Sequence, residues 1–389
     1  MLELTQITQA PLPDFLNLFK GLFSALPGAD ELASPWKKGY ESAFWFSRSA
    51  WSLYSIAIFR MKVLNKKRIV IWIPDFFCNE SLLLLRQLSI HIRFYPIDSI
   101  TTPNMIECRR LLKDDKPDLI LYAHFFGEVF DASELKEIAR ESKAWLVEDC
   151  AHCLMPIEGV GSSGDFILYS QHKLIAIPDG ALLLIRYKNL SNELDSLFLK
   201  RQFHSTYISL VKGFKNNESI CLKWLLKRVL QKTGIRRKLT SVESHKSIQG
   251  QSIDKLPAPI MSNFSMKMLS FIKDKLILEG VKRKQNAIQW SRVLMESSLK
   301  GKGECSFDGS YVPYLLSCEL FSPECVIEII NEFRKNDIPV STWPDLPPEV
   351  ESKLHNALKA REMRYKRIYF PVHSSIEANS IKKALQCIK

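Results

Sequence analysis

The sequence lacks long hydrophobic runs: no stretch of 18 apolar residues occurs, although 46% of its 389 residues are hydrophobic. A membrane-spanning helix needs a run of about that length, so we predict that no helix of the chain crosses a membrane. The first residues, Met1–Leu4, show no basic segment followed by an apolar core, so we also predict no signal peptide. Internal repeats are absent too. The composition is that of a globular protein with enough apolar residues for two lobes.

Cysteines with the paired spacing of a metal site are also missing. The nine cysteines are scattered, and Cys150 and Cys153 form a C-x-x-C pair directly after a predicted strand. Because no metal or redox partners accompany this pair, small buried thiols are the favoured interpretation. The odd number of cysteines and the missing secretion signal lead us to expect reduced thiols, no metal site and a cytoplasmic location.

Acidic residues are scarce in one segment. The net charge of the chain is +12, and the basic segment Lys200–Thr240 contains eleven Lys or Arg residues against the single acid Glu218. Basic segments attract phosphates, anionic lipid or nucleic acid. No nucleic-acid-binding motif accompanies this one, so we predict no nucleic-acid partner. Leu222–Leu230 predicts a helix with a basic edge, for which packing on the protein body is favoured over weak contact with a membrane surface.

Short apolar runs alternate with amphipathic stretches from Ser49 to Ile185. This alternation predicts an α/β fold, with a mostly parallel sheet between helices. After the polar, basic stretch at about 190–250, strand–helix–strand patterns predict a small C-terminal α+β domain. We therefore divide the chain into an N-terminal segment that packs on the body (1–46), a large domain with a basic insertion (47–250) and a small domain (251–389).

Hydrophobic periodicity also sets the expected bounds of the elements. A short amphipathic helix is predicted within Pro11–Ala33. The strands expected in the large domain are Ile69–Pro74, Ile92–Ile97, Leu119–His124, Ala144–Val147, Phe166–Tyr169 and Ala181–Ile185, and the helices are Trp51–Leu64, Glu80–Leu88, Met105–Lys113 and Asp131–Ser142. In the small domain we expect helices over Lys273–Ser298, Pro323–Lys335 and Ser375–Ile388, and strands over Tyr311–Leu316, Ile338–Ser341 and Ile368–Val372.

Polar side chains stand at the ends of neighbouring predicted strands. Asp149 closes one strand, and Ser170 and Lys173 follow the next. The carboxyl ends of parallel strands form one edge of a sheet, where open α/β folds bind ligands. This set suits pyridoxal phosphate (PLP), because a lysine can form a Schiff base, an acid can pair with the pyridinium nitrogen and a hydroxyl can hold phosphate. A helix-capping acid and a solvated lysine are the alternative interpretation of the same spacing.

The stretch Val147–Leu184 resembles the DegT/DnrJ/StrS-type sugar aminotransferases, which are fold-type-I PLP enzymes. Glu148–His152 matches the family's E-D-A-A-[QH] strand end. Gly164, Asp165 and Ser170 match its G-D-x-x-x-x-S motif, and Asp179–Ala181 matches its glycine-rich turn. The spacing from Ser170 to Lys173 is shorter than in the common pattern and resembles a variant branch written S-x-[RH]-K-x-L-P-V-P-D-G-G. The resemblance covers the chain from about Ser47 to its end.

The resemblance implies a seven-stranded sheet in the large domain, PLP as cofactor, and Lys173 and Asp149 as catalytic residues. It also implies that Asn263 reaches the cofactor phosphate of the partner subunit in a homodimer with shared active sites. His124 is expected on the pocket floor, and Phe76 in the core. The implied cofactor-binding residues are Ser49, Ala50 and Ser170 for the phosphate, Phe77 and Cys78 for the ring face, Asp149 for the ring nitrogen, His152 for the phenolic oxygen, Lys173 for the Schiff base, and Asn263 from the neighbour.

The activity implied by the resemblance is amino transfer from an amino acid, with glutamate the expected donor, to a keto sugar. The sugar would be nucleotide-linked and would serve surface polysaccharide, such as lipopolysaccharide, or related biosynthesis. Two alternatives stay open. Some relatives are PLP-dependent sugar dehydratases with histidine in place of the lysine, and His172 lies beside Lys173. A regulatory protein that kept the fold without catalysis is the other.

Overall fold

The computed structural model describes residues 7–190, 195–214, 217–234, 239, 241, 257–296, 299–352, 357–377 and 379–382. Strands of this part form a seven-stranded sheet, a three-stranded sheet and a small two-stranded ribbon. In chain order they are β1 (Ser42–Phe46), β2 (Ile69–Pro74), β3 (Ile90–Tyr95), β4 (Ile97–Ser99), β5 (Thr102–Pro103), β6 (Leu119–Ala123), β7 (Trp145–Cys150), β8 (Phe166–Tyr169), β9 (Ala181–Ile185), β10 (Gly303–Glu304), β11 (Leu315–Leu320) and β12 (Arg367–Pro371).

The seven-stranded sheet has the order β1-β9-β8-β7-β6-β2-β3. Neighbouring strands from β3 to β8 pair in parallel, while β9 runs antiparallel to both β8 and β1. The predicted mostly parallel, seven-stranded α/β sheet is therefore confirmed. Strand β1 was not predicted, and it lies in the segment that we expected only to pack on the body.

Side chains of the central strands are buried on both faces of this sheet, as parallel sheets between helices require. Along β9, Leu183 belongs to the apolar cluster on one face, while Leu182 and Leu184 belong to the cluster on the other. The same alternation occurs in β8, where Phe166 and Ile167 face opposite clusters. Continuous apolar runs thus become strands that fasten helices to both faces.

The helices follow the predicted pattern in most of the chain. Helix α1 (Phe15–Phe23) confirms the short helix predicted near the N-terminus. The helix predicted at Glu80–Leu88 is wrong, because this segment forms two separate 3-10 turns, Asn79–Leu82 and Leu85–Gln87. The other helices are α2 (Ala29–Leu32), α3 (Ser49–Leu64), α4 (Met105–Asp114), α5 (Ser133–Ser142), α6 (Gln171–Leu174), α7 (Tyr187–Leu190), α8 (Ser196–Val211), α9 (Glu218–Lys232), α10 (Asn263–Ile272), α11 (Leu276–Glu296), α12 (Pro323–Lys335), α13 (Pro348–Glu351) and α14 (Leu358–Lys366).

The C-terminal part contains its own sheet, with the order β10-β11-β12, and its own apolar cluster. Trp290 of α11, Ile329 of α12 and Phe370 of β12 are fully buried in this cluster. The expected small α+β unit is therefore present. By contrast, α10 packs through Met268 and Leu269 in the cluster on one face of the large sheet.

Three predicted bounds in the C-terminal part need correction. The strand placed at Tyr311–Leu316 begins at Leu315, since Pro313 precedes it and has no N–H for a sheet ladder. Ile338–Ser341 forms one bridge, Ser341 to Tyr369, rather than a strand. The helix placed at Lys273–Ser298 begins as a 3-10 turn and becomes α11 at Leu276. Most of the helix predicted at Ser375–Ile388 lies outside the described residues.

The cysteines are mostly buried free thiols, as expected for Cys150 and Cys153. The expectation of reduced thiols is wrong for one pair, because Cys305 and Cys318 form a disulfide. Cys318 lies in β11, and the bridge fastens the preceding segment to the three-stranded sheet. Among the described residues, no helix has the length and apolar character needed to span a membrane.

Candidate active site

A pocket with an empty volume of about 300 Å³ lies at the carboxyl edge of the seven-stranded sheet. We call it the strand-end pocket. Its walls come from the segments that follow β2, β6, β7 and β8, together with one residue of the C-terminal part. The lining residues are Phe77, Cys78, Ser81, Ala123, His124, Phe125, Asp149, Ala151, His152, Lys173 and Trp343.

Lys173 reaches this pocket from the short helix α6, which follows β8. Its Nζ lies 3.2 Å from Nε2 of His152. The other ring nitrogen of His152, Nδ1, accepts a hydrogen bond from the backbone N–H of Phe126 at 3.2 Å. The ring proton must therefore be on Nε2, the nitrogen that faces Lys173 Nζ. Burial, with a further contribution from Lys173, keeps the pKa of His152 well below its ordinary value, so the imidazole is neutral.

The His152 ring is fixed by two aromatic neighbours. The ring of Tyr314 stacks on it with centroids 4.4 Å apart and planes 19° apart. Phe126 lies 5.6 Å away and has a left-handed backbone with φ of 57°. Because non-glycine residues rarely adopt this conformation, the turn that directs the Phe126 N–H toward His152 is strained. The structure thus fixes both the position and the tautomer of His152.

Asp149 presents its carboxylate to the pocket from the end of β7. Oδ1 accepts a hydrogen bond from the N–H of Ala151 at 2.8 Å. Burial raises the pKa of Asp149, while Lys173 and the Ala151 N–H act in the opposite direction. An acid in this environment gains from a cationic partner within the pocket.

The neighbouring acid, Glu148, points away from the pocket because successive strand residues face opposite sides. It accepts hydrogen bonds from His124 at 3.0 Å and from the backbone N–H groups of Gly161, Ser163 and Gly164 at 2.6, 2.9 and 2.7 Å. His124 Nδ1 accepts the N–H of Phe130, so Nε2 donates to Glu148. The structure therefore gives the two acids of the motif different positions, and His124 lines the pocket as expected.

The residues expected to hold phosphate lie beside the lysine segment. The N–H of Gly180 donates to the carbonyl of Ser47 at 3.0 Å, which joins the start of α3 to the turn before β9. The Ser170 hydroxyl is buried and has no hydrogen-bond partner among the described residues. α3 itself begins at Ser49, and Ala50 is its second residue. A helix N-terminus and a buried hydroxyl without a partner are both groups that can bind a phosphate.

Arg48, which the sequence analysis missed, is the residue that directly precedes this helix. Its guanidinium donates to the carbonyls of Ser47 at 2.9 Å and Pro178 at 3.3 Å. Burial lowers the pKa of Arg48, with Asp179 and Glu80 opposing this shift. The S-R-S-A motif could have revealed this residue, because an arginine next to the start of a helix can bind an anion. None of Arg48, Ser49, Ala50 and Ser170 is in the lining of the strand-end pocket as described.

The ring-face residues Phe77 and Cys78 both line the pocket, and Phe76 is a core residue as expected. Trp343, which the sequence analysis also missed, lines the pocket from the C-terminal part. Its ring packs on Phe76 with centroids 4.6 Å apart. The sequence could not reveal it, because some 190 residues separate Trp343 from the strand-end motif. PLP thus fits this donor set: an amine, a carboxylate, an imidazole and aromatic side chains surround one pocket.

The structure does not bring Asn263 into this set. Asn263 is exposed at the start of α10, and in the described chain it is absent from the pocket lining. The helix is capped by Ser262 instead, whose hydroxyl accepts the N–H of Ser265 at 3.2 Å. Ser262 also donates to Asp179 at 2.7 Å, and so ties α10 to the turn that precedes β9.

Comparison with known proteins shows where this architecture occurs. A model of the DegT/DnrJ/EryC1/StrS aminotransferase family matches residues 90–215. Among curated protein sequences, none matches the chain significantly. The matched segment contains β6, β7 and β8 and the residues Asp149, His152 and Lys173.

Solved structures share the fold over nearly the whole chain. A protein of Streptococcus pneumoniae described as a sugar aminotransferase, in its PMP form, is 14% identical with a TM-score of 0.69, covering 98% of this chain and 96% of its own. Helicobacter pylori PseC, an aminotransferase involved in pseudoaminic acid biosynthesis, is 11% identical with a TM-score of 0.69, covering 99% and 98%. E. coli GDP-4-keto-6-deoxy-D-mannose-3-dehydratase with bound hydrated PLP is 13% identical with a TM-score of 0.67, covering 100% of both chains.

At these identities the solved structures establish the fold, and the family model shows similarity to the family over residues 90–215. The expected resemblance to the family, the expected fold and the expected cofactor are confirmed, while the variant form of the lysine motif stays a prediction. Over residues 90–215 and in its fold, the chain is thus similar to the PLP-dependent aminotransferases of the DegT/DnrJ/EryC1/StrS family.

Proposed function

We propose that the protein transfers an amino group from an amino acid, with glutamate as the expected donor, to a nucleotide-linked keto sugar in surface polysaccharide or related biosynthesis. The observation that carries the proposal is the joint placement of Lys173, Asp149 and His152 in one pocket, with 3.2 Å between Lys173 Nζ and His152 Nε2. Two of the similar structures support the substrate class, since their names refer to pseudoaminic acid biosynthesis and to a GDP-linked keto sugar.

Each residue would have a defined task in this reaction. PLP, when bound, supplies a ring that takes up the electrons released at the donor carbon. Lys173 would hold the cofactor through its Nζ and would then accept and return a proton at that nitrogen. Asp149 would pair with the protonated ring nitrogen, and that positive charge would favour the ionised form of this buried acid. His152 presents an Nε2–H donor to the groups in front of it.

The phosphate would lie against the start of α3, next to the Ser170 hydroxyl and the Arg48 guanidinium. The unpaired Ser170 Oγ supports this placement, because a buried hydroxyl without a partner costs free energy until a ligand supplies one. Phe77, Cys78 and Trp343 would exclude water from the ring. Ser49 and Ala50 contribute their backbone N–H groups at the helix start.

Among the alternatives, the sugar dehydratase is disfavoured by the position of His172. Its Nδ1 lies 3.0 Å from the carbonyl of Gly180, and the residue is absent from the described pocket lining, whereas Lys173 is present there. Burial, followed by the charge of Arg48, lowers the pKa of His172, so this imidazole is neutral. A non-catalytic regulator would have no use for a lysine amine paired with His152.

We also propose a homodimer with shared active sites. The exposed side chain of Asn263 supports it, because on its own chain this residue lies outside the pocket. Exposed apolar side chains offer a surface for a second copy, and their burial would provide the driving force for association. They include Phe19 and Phe23 of α1, 64% and 76% exposed, and Leu222 and Leu226 of α9, 59% and 57% exposed.

The α9 helix has one face on the protein body and one face exposed. Cys221, Trp224 and Leu225 pack on the body, and Lys223 and Lys227 face outward, as expected. Leu222, Leu226 and Leu230 are exposed beside these lysines. Weak membrane-surface contact therefore remains the alternative to a subunit interface. The domain division at residues 46 and 250 and the cytoplasmic location also remain proposals.

The test of the function is labelling and turnover of the purified protein. We expect PLP to give a visible absorbance band that borohydride abolishes, with the label recovered on Lys173 by peptide mapping. Lys173→Ala should remove the band, the label and the transfer of nitrogen from glutamate to nucleotide-linked keto sugars. His172→Ala serves as the matched control and should keep the label. Normal turnover by Lys173→Ala would refute the assignment.

A further inference from the structure

Arg283 of α11 is a fully buried charge that the reaction described above does not use. Its side chain is 1% exposed. Nε pairs with Glu279 Oε1 at 2.9 Å, and Nη1 donates to the carbonyls of Pro313 and Tyr314 at 3.4 and 3.2 Å. Nη2 donates to the carbonyl of Leu174. One guanidinium therefore connects α11 with two other segments of the chain.

Both of these segments support the reactive lysine. Leu174 directly follows Lys173 in α6, a four-residue helix whose N-cap side chain makes no capping bond. So short a helix is not stable by itself and depends on tertiary contacts. Tyr314 stacks on His152, whose Nε2 lies 3.2 Å from Lys173 Nζ. Arg283 thus holds the backbone of α6, which carries Lys173, and also the backbone of Tyr314, whose ring stacks on His152.

The presence of arginine, rather than an apolar residue or lysine, at position 283 supports a role in positioning other segments. Burying a charged guanidinium costs free energy that a single ion pair does not return in full, and an apolar side chain would fill the same volume more cheaply. The planar fork of arginine can bond several carbonyls in fixed directions at once, whereas lysine has one point of attachment. Here the acceptors belong to segments some 140 residues apart in the chain, Leu174 and Pro313–Tyr314.

We propose that Arg283 is a positioning residue, which fixes the Lys173 amine against His152 by clamping the α6 backbone to the segment that carries Tyr314. The inference rests on the proposed role of Lys173. When the clamp is lost, α6 and the Tyr314 segment move independently, and the amine no longer faces a fixed Nε2–H. The reaction of Lys173 with PLP should then slow, even where the protein stays folded.

The experiment compares Arg283→Lys with Arg292→Lys, a control on the same helix whose side chain is 78% exposed. Full-length apoprotein is mixed with PLP, and the rate of borohydride-stable labelling at Lys173 is measured by quenched sampling. Misplacement of a reacting group by about 1 Å can cost up to a hundredfold in rate, so we expect Arg283→Lys to label roughly tenfold or more slowly. Arg292→Lys should label at the wild-type rate.

Two further readouts separate positioning from a general loss of stability. In Arg283→Lys, the pH midpoint of the visible PLP band should move, and amide hydrogen exchange in residues 171–176 should accelerate while that of β2 stays as in the wild type. A variant that melts at a lower temperature but keeps the wild-type labelling rate, pH midpoint and exchange in 171–176 would overturn the proposal and leave Arg283 a purely structural residue.

A milder variant covers the case in which Arg283→Lys does not fold. Glu279→Gln keeps an oxygen acceptor for Nε but removes the counter-charge, so the same readouts should change in the same direction by roughly twofold to fivefold. Wild-type values in this variant would also contradict the clamp. If the wild-type protein itself takes no label at Lys173, the proposed function fails; if it labels and neither variant differs, only the role of Arg283 fails.

Discussion

Glu148 and Asp149 are adjacent acids at the end of β7, and we predict that replacing each by its amide has opposite effects on stability. Burial favours the neutral form of Glu148, but the hydrogen bonds from His124 and from the backbone N–H groups of Gly164 and Ser163 outweigh burial and lower the pKa of Glu148 from 4.5 to about 2. For Asp149 burial dominates and raises the pKa. The fold therefore gains from the charge of Glu148 and loses from the charge of Asp149.

The size of the Glu148 effect follows from linkage between ionisation and folding. At about 1.4 kcal/mol per pKa unit, the difference between 4.5 and about 2 corresponds to roughly 3 kcal/mol. Glu148→Gln keeps one oxygen acceptor, but it loses the charge and turns an NH₂ group toward N–H donors. We expect the free energy of unfolding at pH 7 to fall by about 3 kcal/mol in Glu148→Gln. Asp149→Asn should be at least as stable as the wild type but should lose most turnover.

The pH dependence has a definite sign. Because the folded pKa of Glu148 is depressed, its contribution is complete above the unfolded pKa of about 4.5 and is lost as the pH falls toward 2. The gap between the wild type and Glu148→Gln should therefore be constant from about pH 8 to pH 5 and should narrow below that. Urea unfolding followed by tryptophan fluorescence at a series of pH values measures it.

Glu137→Gln is the matched control, since Glu137 lies on α5 with its side chain 54% exposed. Its free energy of unfolding should stay within about 0.5 kcal/mol of the wild type. A gap below about 1 kcal/mol for Glu148→Gln at pH 7, or a comparable loss in Asp149→Asn, would refute the division of roles between the two acids.

Two other predictions concern the phosphate and the assembly. Ser170→Ala should weaken PLP affinity by about 1–3 kcal/mol, the usual cost of leaving a charged group one hydrogen bond short, and an unchanged dissociation constant in a fluorescence titration would remove Ser170 from the phosphate site. Sedimentation should show a dimer, because a two-fold interface gives each subunit one loop to donate and one to receive. Co-expressed Lys173→Ala and Asn263→Ala chains should recover activity from the site that bears neither change, and an active monomer or an Asn263→Ala chain with unchanged PLP affinity would contradict the shared site.

The sequence by itself determined the order of elements and the edge on which the site lies. Runs such as Leu119–Ala123 and Ala181–Ile185 are short, continuous and apolar, and a strand buried on both faces is the structure that accommodates them. Asp149, Ser170 and Lys173 follow strands of one sheet, so their approach to one another was predictable from the alternation of elements. Local patterns carry this information because hydrogen bonds of a strand or helix repeat with a fixed period.

Tertiary structure alone decided how these side chains are oriented and supported. The family resemblance singles out Asp149, but only the direction of β7 shows that Asp149 faces the pocket and that Glu148 faces the loop network behind it. Trp343 lines the pocket and Arg283 contacts the lysine segment, and both are more than 100 residues away in the sequence. Such contacts have no period in the sequence, because they depend on how distant segments of the folded chain pack against each other. The geometry of the Lys173–His152 pair therefore became visible only in the folded chain.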